Sequence, residues 1–114
     1  DTEYGNFRFY YNINEMNKSN SCIALDTTTI KLPLKIRTIQ EKDRMNVKNL
    51  NGSKKVSDIF INSKVPKYER EGYPILVDSN DEILWIPNIK KSKFAKDKSE
   101  KYDIIIKCEA RWIK

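Results

Sequence analysis

Residues 74–87 read Pro74-Ile75-Leu76-Val77-Asp78-Ser79-Asn80-Asp81-Glu82-Ile83-Leu84-Trp85-Ile86-Pro87. Two apolar runs, Ile75 to Val77 and Glu82 to Ile86, flank a polar stretch of turn formers, the pattern of a β-hairpin. Trp85 lies in so apolar a context that it belongs in a core rather than on a surface.

Working upstream, Val65-Pro66 opens a short helix with Pro66 in its first turn and Lys67 to Glu71 as its body, ending near Gly72 and stopped by Pro74. Before it, Ser53 is expected to cap a helix from Lys54 to Asn62. There Val56, Ile59 and Phe60 share one face, and Lys54, Lys55 and Asp58 turn to solvent. Such a short helix depends on packing. Glu41 to Ser53 contains Asn46, Asn49, Asn51 and Gly52 and has no apolar period, so it reads as a long connecting loop. Leu34 to Ile39 is an amphipathic strand with Arg37 on its wet face. Residues 3–13 read as one aromatic-rich strand, 12–21 as a loop and Cys22 to Leu25 as a short strand.

Downstream, Asn88 to Lys101 reads as a lysine-rich loop carrying Phe94, and Lys101 to Ile113 closes the chain with a strand (Tyr102, Ile104, Ile105, Ile106, Cys108) followed by Trp112. The order β, β, β, α, α, β, β, β gives an α+β, β-rich fold: largely antiparallel sheets with two short helices. No repeat or linker interrupts it, so residues 1–114 are expected to form a single domain. The chain opens on Asp1 rather than Met and reads as a piece of something longer.

An apolar fraction of 39% against 33% charged residues suits a globular chain, and no apolar run approaches the roughly 20 residues that cross a bilayer. Cys22 and Cys108 fall in apolar runs and are expected to be buried free thiols. There is no histidine. That removes the partner of Ser-His and Cys-His nucleophiles and the residue that would help two cysteines complete a zinc site. Gly5, Gly52 and Gly72 are isolated from one another, so no phosphate-cradling loop is present, and Gly52-Ser53-Lys54-Lys55 lacks the upstream glycine of a P-loop. Asp81-Glu82 reads as an exposed turn pair. No catalytic residue and no metal ligand is assigned.

The net charge of +6 is concentrated in the middle. Residues 31–70 carry eleven basic against four acidic side chains, whereas residues 1–30 are net acidic and 71–114 nearly balanced. A segment of this kind is either a solvated face or a footprint for a polyanion, whose condensed counterions lysine and arginine replace.

Five stretches in order decide between these. They are Arg37-Thr38-Ile39-Gln40-Glu41-Lys42-Asp43-Arg44; Gly52-Ser53-Lys54-Lys55-Val56-Ser57-Asp58-Ile59-Phe60-Ile61; Lys64-Val65-Pro66 with Arg70; Pro74 to Asp78; and Ile83-Leu84-Trp85-Ile86-Pro87. Together they resemble the C-terminal domain of bacterial tRNA(Ile)-lysidine synthetases. Lys42 and Asn88 stand where that family has glycine, and asparagine is able to take a left-handed conformation. The family-like core covers residues 34–110; residues 1–33 join it by adjacency.

The resemblance implies a parent enzyme, cytoplasmic and ATP-dependent, that joins lysine to the wobble cytidine of the isoleucine tRNA with a CAU anticodon. ATP and magnesium would belong to its N-terminal domain, whose Ser-Gly-Gly-x-Asp-Ser loop is absent here, and no cofactor is expected in this chain. This domain would grip the tRNA body at the acceptor stem and meet the parent's own catalytic domain; no membrane is implied. Base-paired RNA offers phosphates and 2′-hydroxyls to basic side chains. The candidates are Arg37, Arg44, Lys54, Lys55, Lys64, Lys67 and Arg70, with Lys54 and Lys55 also placing helix-start amides near a phosphate. Asp43 reads as a turn former or an anchor for an arginine, with Arg44 the neighbour to pair with it. Phe60 is a core residue, and Phe94 is the one aromatic open to a base-stacking role. Rival readings are a protein-interaction or interdomain module with a basic face, and an accessory domain of a phenylalanine tRNA synthetase β chain, whose fold is similar.

Overall fold

Aromatic side chains alternating with polar ones build the first sheet. In the computed structural model, which describes residues 2–11, 13–14 and 19–110, strand β1 (Thr2–Tyr4) turns back at Gly5-Asn6 into β2 (Phe7–Tyr11), with Tyr4 opposite Phe7. The single strand read over 3–13 is therefore a hairpin. Gly5 sits at φ +57°, a conformation that glycine takes without strain, and Gly-Asn between two β-favouring runs is a two-residue turn signal. The other edge of β2 pairs with β10 (Ile104–Ala110), and β10 pairs with β3 (Cys22–Leu25), giving the antiparallel order β1-β2-β10-β3. Trp112, and the end of the expected closing strand, lie outside the described residues, as does much of the 12–21 loop.

A second antiparallel sheet runs β4 (Lys35–Arg37), β7 (Ile75–Val77), β8 (Ile83–Ile86), β9 (Lys90–Lys91). Its centre is the hairpin read from residues 74–87. The buried Asp78 carboxylate fixes the turn by accepting from the amides of Asn80 (2.9 Å), Glu82 (3.0 Å) and Lys31 (3.1 Å). Strand β9 arises inside the stretch read as a loop, because Asn88 reverses the chain at φ +64°.

The long loop expected over 41–53 also holds structure: β5 (Arg44–Met45) pairs with β6 (Lys54–Lys55). Met45 is fully buried and ties this ribbon to the core. Because Lys54 and Lys55 are extended, the first helix is α1 (Val56–Asn62), and Ser53 is not its cap. A one-turn helix α2 (Lys67–Arg70) follows, where Pro66 O accepts from the amides of Glu69 and Arg70.

The two larger sheets share one core. Trp85 and Phe9 meet edge-on at 6.2 Å, and the Trp85 indole N–H donates to Asn20 O at 3.1 Å. Tyr73 bridges Phe7 (4.8 Å) and Phe60 (5.4 Å), while its hydroxyl donates to Pro87 O at 2.6 Å. Burial pushes the Tyr73 phenol far above its usual range, so it remains a donor. Cys22 and Cys108 are buried and free; Cys22 packs with Ala24 and Ile105, and Cys108 with the main core on the other face. Burial raises the Cys108 thiol to about 12.

Phe60 has no exposed surface and fills the space between α1 and Tyr73. Phe60→Ala should lower unfolding free energy by about 3 kcal/mol. Urea titration checks this, and an unchanged midpoint would refute the placement.

Candidate nucleic-acid interface

The basic middle segment is organised by one ion pair. Both terminal nitrogens of Arg37 donate to the Asp43 carboxylate, at 2.8 and 3.0 Å, and Asp43 also accepts from the Gln40 amide at 2.8 Å. Arg37 Nε lies 3.3 Å from Asp81. The Arg37 side chain is 16% exposed and Asp43 10%, so Arg37 is not on a wet face, and the partner of Asp43 is Arg37 rather than Arg44. Burial by itself raises the Asp43 carboxyl; the bonds from Arg37 and Gln40 outweigh it and hold the group below the usual carboxylate range. The Arg37 guanidinium is raised in turn, chiefly by its bond to Asp43.

Beyond this clasp the chain enters β5 and β6, where Arg44 stands directly opposite Lys55. Like charges at paired positions repel. Arg44 is steadied by donating to Ser53 Oγ (2.8 Å) and Ser53 O (3.1 Å), so the serine expected to cap the helix instead holds the arginine. Arg44, Ser53, Lys54, Lys55, Asp58, Ile61 and Asn62 line an open hollow of about 520 Å³. Among the described residues, Arg44, Lys54 and Lys55 form no ion pair. The helix start supplies no anion site of its own: the Val56 amide donates to Asp43 O at 3.0 Å, and Lys54 and Lys55 lie in a strand.

The other candidates sit past the far end of α1. Lys64 occupies the left-handed position of a Schellman ending, at φ +58°, with its amide donating to Ile61 O and that of Val65 donating to Phe60 O, both at 3.0 Å. Glycine is the favoured residue there, so the lysine is held against a backbone preference. Lys67 is exposed on α2; Arg70 is half-buried, its Nε donating to Val65 O at 2.8 Å. The structure thus gathers Arg44, Lys54 and Lys55 in one hollow, sets Lys64 and Lys67 along the continuation of the chain, and commits Arg37 to internal bonds.

Two residues escape a sequence reading. Asp58 is legible there only as a solvent-facing acid, although it lines the basic hollow. Tyr68, 80% exposed on α2, carries no signal in the sequence that sets it apart from the buried aromatics. Phe94, the aromatic open to base stacking, is partly buried against the core, with Lys93 5.4 Å from its ring. In the same stretch Lys48 pairs with Asp97 at 2.9 Å, which lowers the charge of that face. Among the described residues no helix is long and apolar enough to cross a membrane.

Residues 34–107, which contain the clasp, the hollow and the central hairpin, match the family described as the TilS substrate C-terminal domain. The chain belongs to this family. A tRNA(Ile)-lysidine synthase from Bacillus subtilis (strain 168) is 47% identical over 75 residues, 66% of this chain but 16% of that protein. The chain therefore spans a small part of such TilS relatives. A crystal structure of a TilS C-terminal domain superposes with a TM-score of 0.82 at 31% identity, covering 92% of this chain and 85% of that one. An N-terminal fragment of the phenylalanyl-tRNA synthetase β-subunit from Pyrococcus horikoshii matches at a TM-score of 0.59 and 16% identity, covering 94% of this chain and 29% of that one. That second likeness is one of fold alone. The two departures from the lysidine synthetase pattern have local explanations: Asn88 takes the left-handed conformation, and the turn at Lys42, closed by the Asp43 amide on Gln40 O, needs no positive φ.

Because the folded-state carboxyl of Asp43 is lowered, its stabilisation is present above the unfolded value of about 4 and is lost as pH falls through the native one. Asp43→Asn should cost about 3 kcal/mol at pH 7, with the gap to the parent chain closing below about pH 4. Urea midpoints across pH test this, and a gap that does not change with pH would contradict the ion-pair account.

Proposed function

We propose that this chain is the tRNA-gripping domain of a lysidine synthetase and that the Arg44, Lys54 and Lys55 hollow is its principal phosphate-binding surface. The observation that carries this reading is that three cations share one open hollow and make no ion pair of their own among the described residues. A solvated face assembled for solubility would pair its cations with acids, as Lys48 is paired with Asp97, whereas the one acid in the hollow, Asp58, forms no ion pair with them among the described residues. Cations left unpaired at facing positions cost stability, and a phosphate backbone that binds them relieves the repulsion and releases its own counterions. Lys64 and Lys67 extend the surface; Arg37 positions the ribbon, and Arg70 contributes through its remaining guanidinium nitrogens.

Under this proposal the parent enzyme is a cytoplasmic ATP-dependent ligase that activates the wobble cytidine of the CAU-anticodon isoleucine tRNA and joins it to lysine. The present domain holds the tRNA body at the acceptor stem and helps to exclude the methionine tRNA with the same anticodon. It works beside the parent's own catalytic domain. ATP and magnesium act in that N-terminal domain. What supports leaving both outside this chain is that, among the described residues, no three acids or cysteines converge, and that Gly5 and Gly52 occupy separate turns.

Lys54→Glu combined with Lys55→Glu should weaken binding to the isoleucine tRNA at least tenfold near 0.1 M salt. It should also reduce the slope of log K against log salt by about 0.7 to 0.9 for each phosphate that is no longer neutralised. Both side chains are exposed, so the melting temperature should hold. Unchanged affinity would remove the hollow from the interface. Equal binding of the parent chain to tRNA and heparin would favour an acidic protein partner instead.

A further inference from the structure

Phosphate binding leaves one member of the hollow unexplained. Asp58, in the first turn of α1, lines it with Arg44, Lys54 and Lys55, yet among the described residues its carboxylate makes no hydrogen bond and no ion pair. It does not cap the helix either, since the cap position is Lys55 and carries no side-chain bond. An ionised carboxylate only accepts hydrogen bonds, and it repels a phosphate brought into the same space. A purely phosphate-binding hollow would be better without it. What the acid takes from a polyanion is a donor carried next to a phosphate.

RNA has such a donor at every residue, the ribose 2′-hydroxyl, and base-paired RNA displays it along the wide, shallow minor groove. The hollow's volume of about 520 Å³ is room enough for a sugar and its phosphate, within the rough 300–1,000 Å³ span of small-molecule sites. Asn62 and Ser53 add neutral polar groups to the same wall, and Ile61, 53% exposed, offers an apolar surface for a ribose face.

We infer that the hollow seats one ribose with its flanking phosphate: Arg44, Lys54 and Lys55 take the phosphate oxygens, and Asp58 accepts a hydrogen bond from the 2′-hydroxyl. Asp58 thereby makes the surface select RNA over DNA, at the cost of some attraction for phosphate. This inference rests on the RNA-binding reading above, and its test separates the two.

The 114-residue chain and its Asp58→Ala variant are titrated, at one salt concentration, with an RNA duplex, the DNA duplex of the same sequence, and a 2′-fluoro duplex. The last keeps RNA-like geometry without the donor. The parent chain should bind the RNA about tenfold more tightly than the DNA or the 2′-fluoro duplex, the size expected of one charge-assisted hydrogen bond. Asp58→Ala should abolish that preference while its affinity for DNA stays level or rises, because a negative charge has left the hollow. Asp58 is exposed and makes no bond among the described residues, so an unchanged melting temperature shows that the variant is folded. Equal binding of RNA and 2′-fluoro duplexes by the parent chain, or a preference that survives in Asp58→Ala, overturns the role of Asp58 and leaves the phosphate-binding role of the hollow standing. Absence of salt-sensitive binding to all three removes the RNA reading and the inference with it.

Discussion

Arg37 reaches from strand β4 across to Asp43, and its two terminal nitrogens close on that carboxylate at 2.8 and 3.0 Å. This pair stands where the second sheet hands the chain to the small β5–β6 ribbon. Asp43 O then receives the Val56 amide at the start of α1, so a single residue joins the sheet, the ribbon and the helix. Paired bonds of this type carry direction as well as energy, which a single lysine bond would not. Because the clasp is largely shielded from water, removing one partner strands the other, and the position of Arg44, the next residue, depends on it.

On that base the molecule separates two uses of positive charge. Arg37 and Lys48 are matched by acids and serve the fold. Among the described residues Arg44, Lys54 and Lys55 are unmatched by any acid, and Lys64 holds a backbone conformation better suited to glycine. Interactions that lower stability without a structural return are the ones expected at a binding surface. The chain belongs to the TilS C-terminal domain family, and a phenylalanyl-tRNA synthetase fragment has the same fold at much lower identity.

Much of the architecture is legible in the sequence because apolar side chains announce it. The hairpin over 74–87, the Val56, Ile59 and Phe60 face, and the burial of Trp85 all follow from runs and periods. The misreadings fall where two-residue pairings compete with local preference. Ser53 looks like a helix cap, but cross-strand bonds hold Lys54 and Lys55 extended. Gly5-Asn6 is overlooked because the aromatic pattern continues on either side. Strands of two residues, such as β5 and β9, leave no period to detect. At the candidate site the residue types are readable but their commitments are not: no sequence rule says that Asp43 takes Arg37 six positions back rather than its neighbour Arg44, or that Asp58 lines the same hollow as three cations.

The most direct test of the account is a map of backbone amide shifts in the 114-residue chain as the CAU isoleucine tRNA is added at low salt. The largest changes should fall on Arg44, on residues 53–58 and on Lys64 and Lys67. Changes concentrated in the lysine-rich stretch from Lys90 to Lys101, with the hollow unaffected, would contradict it.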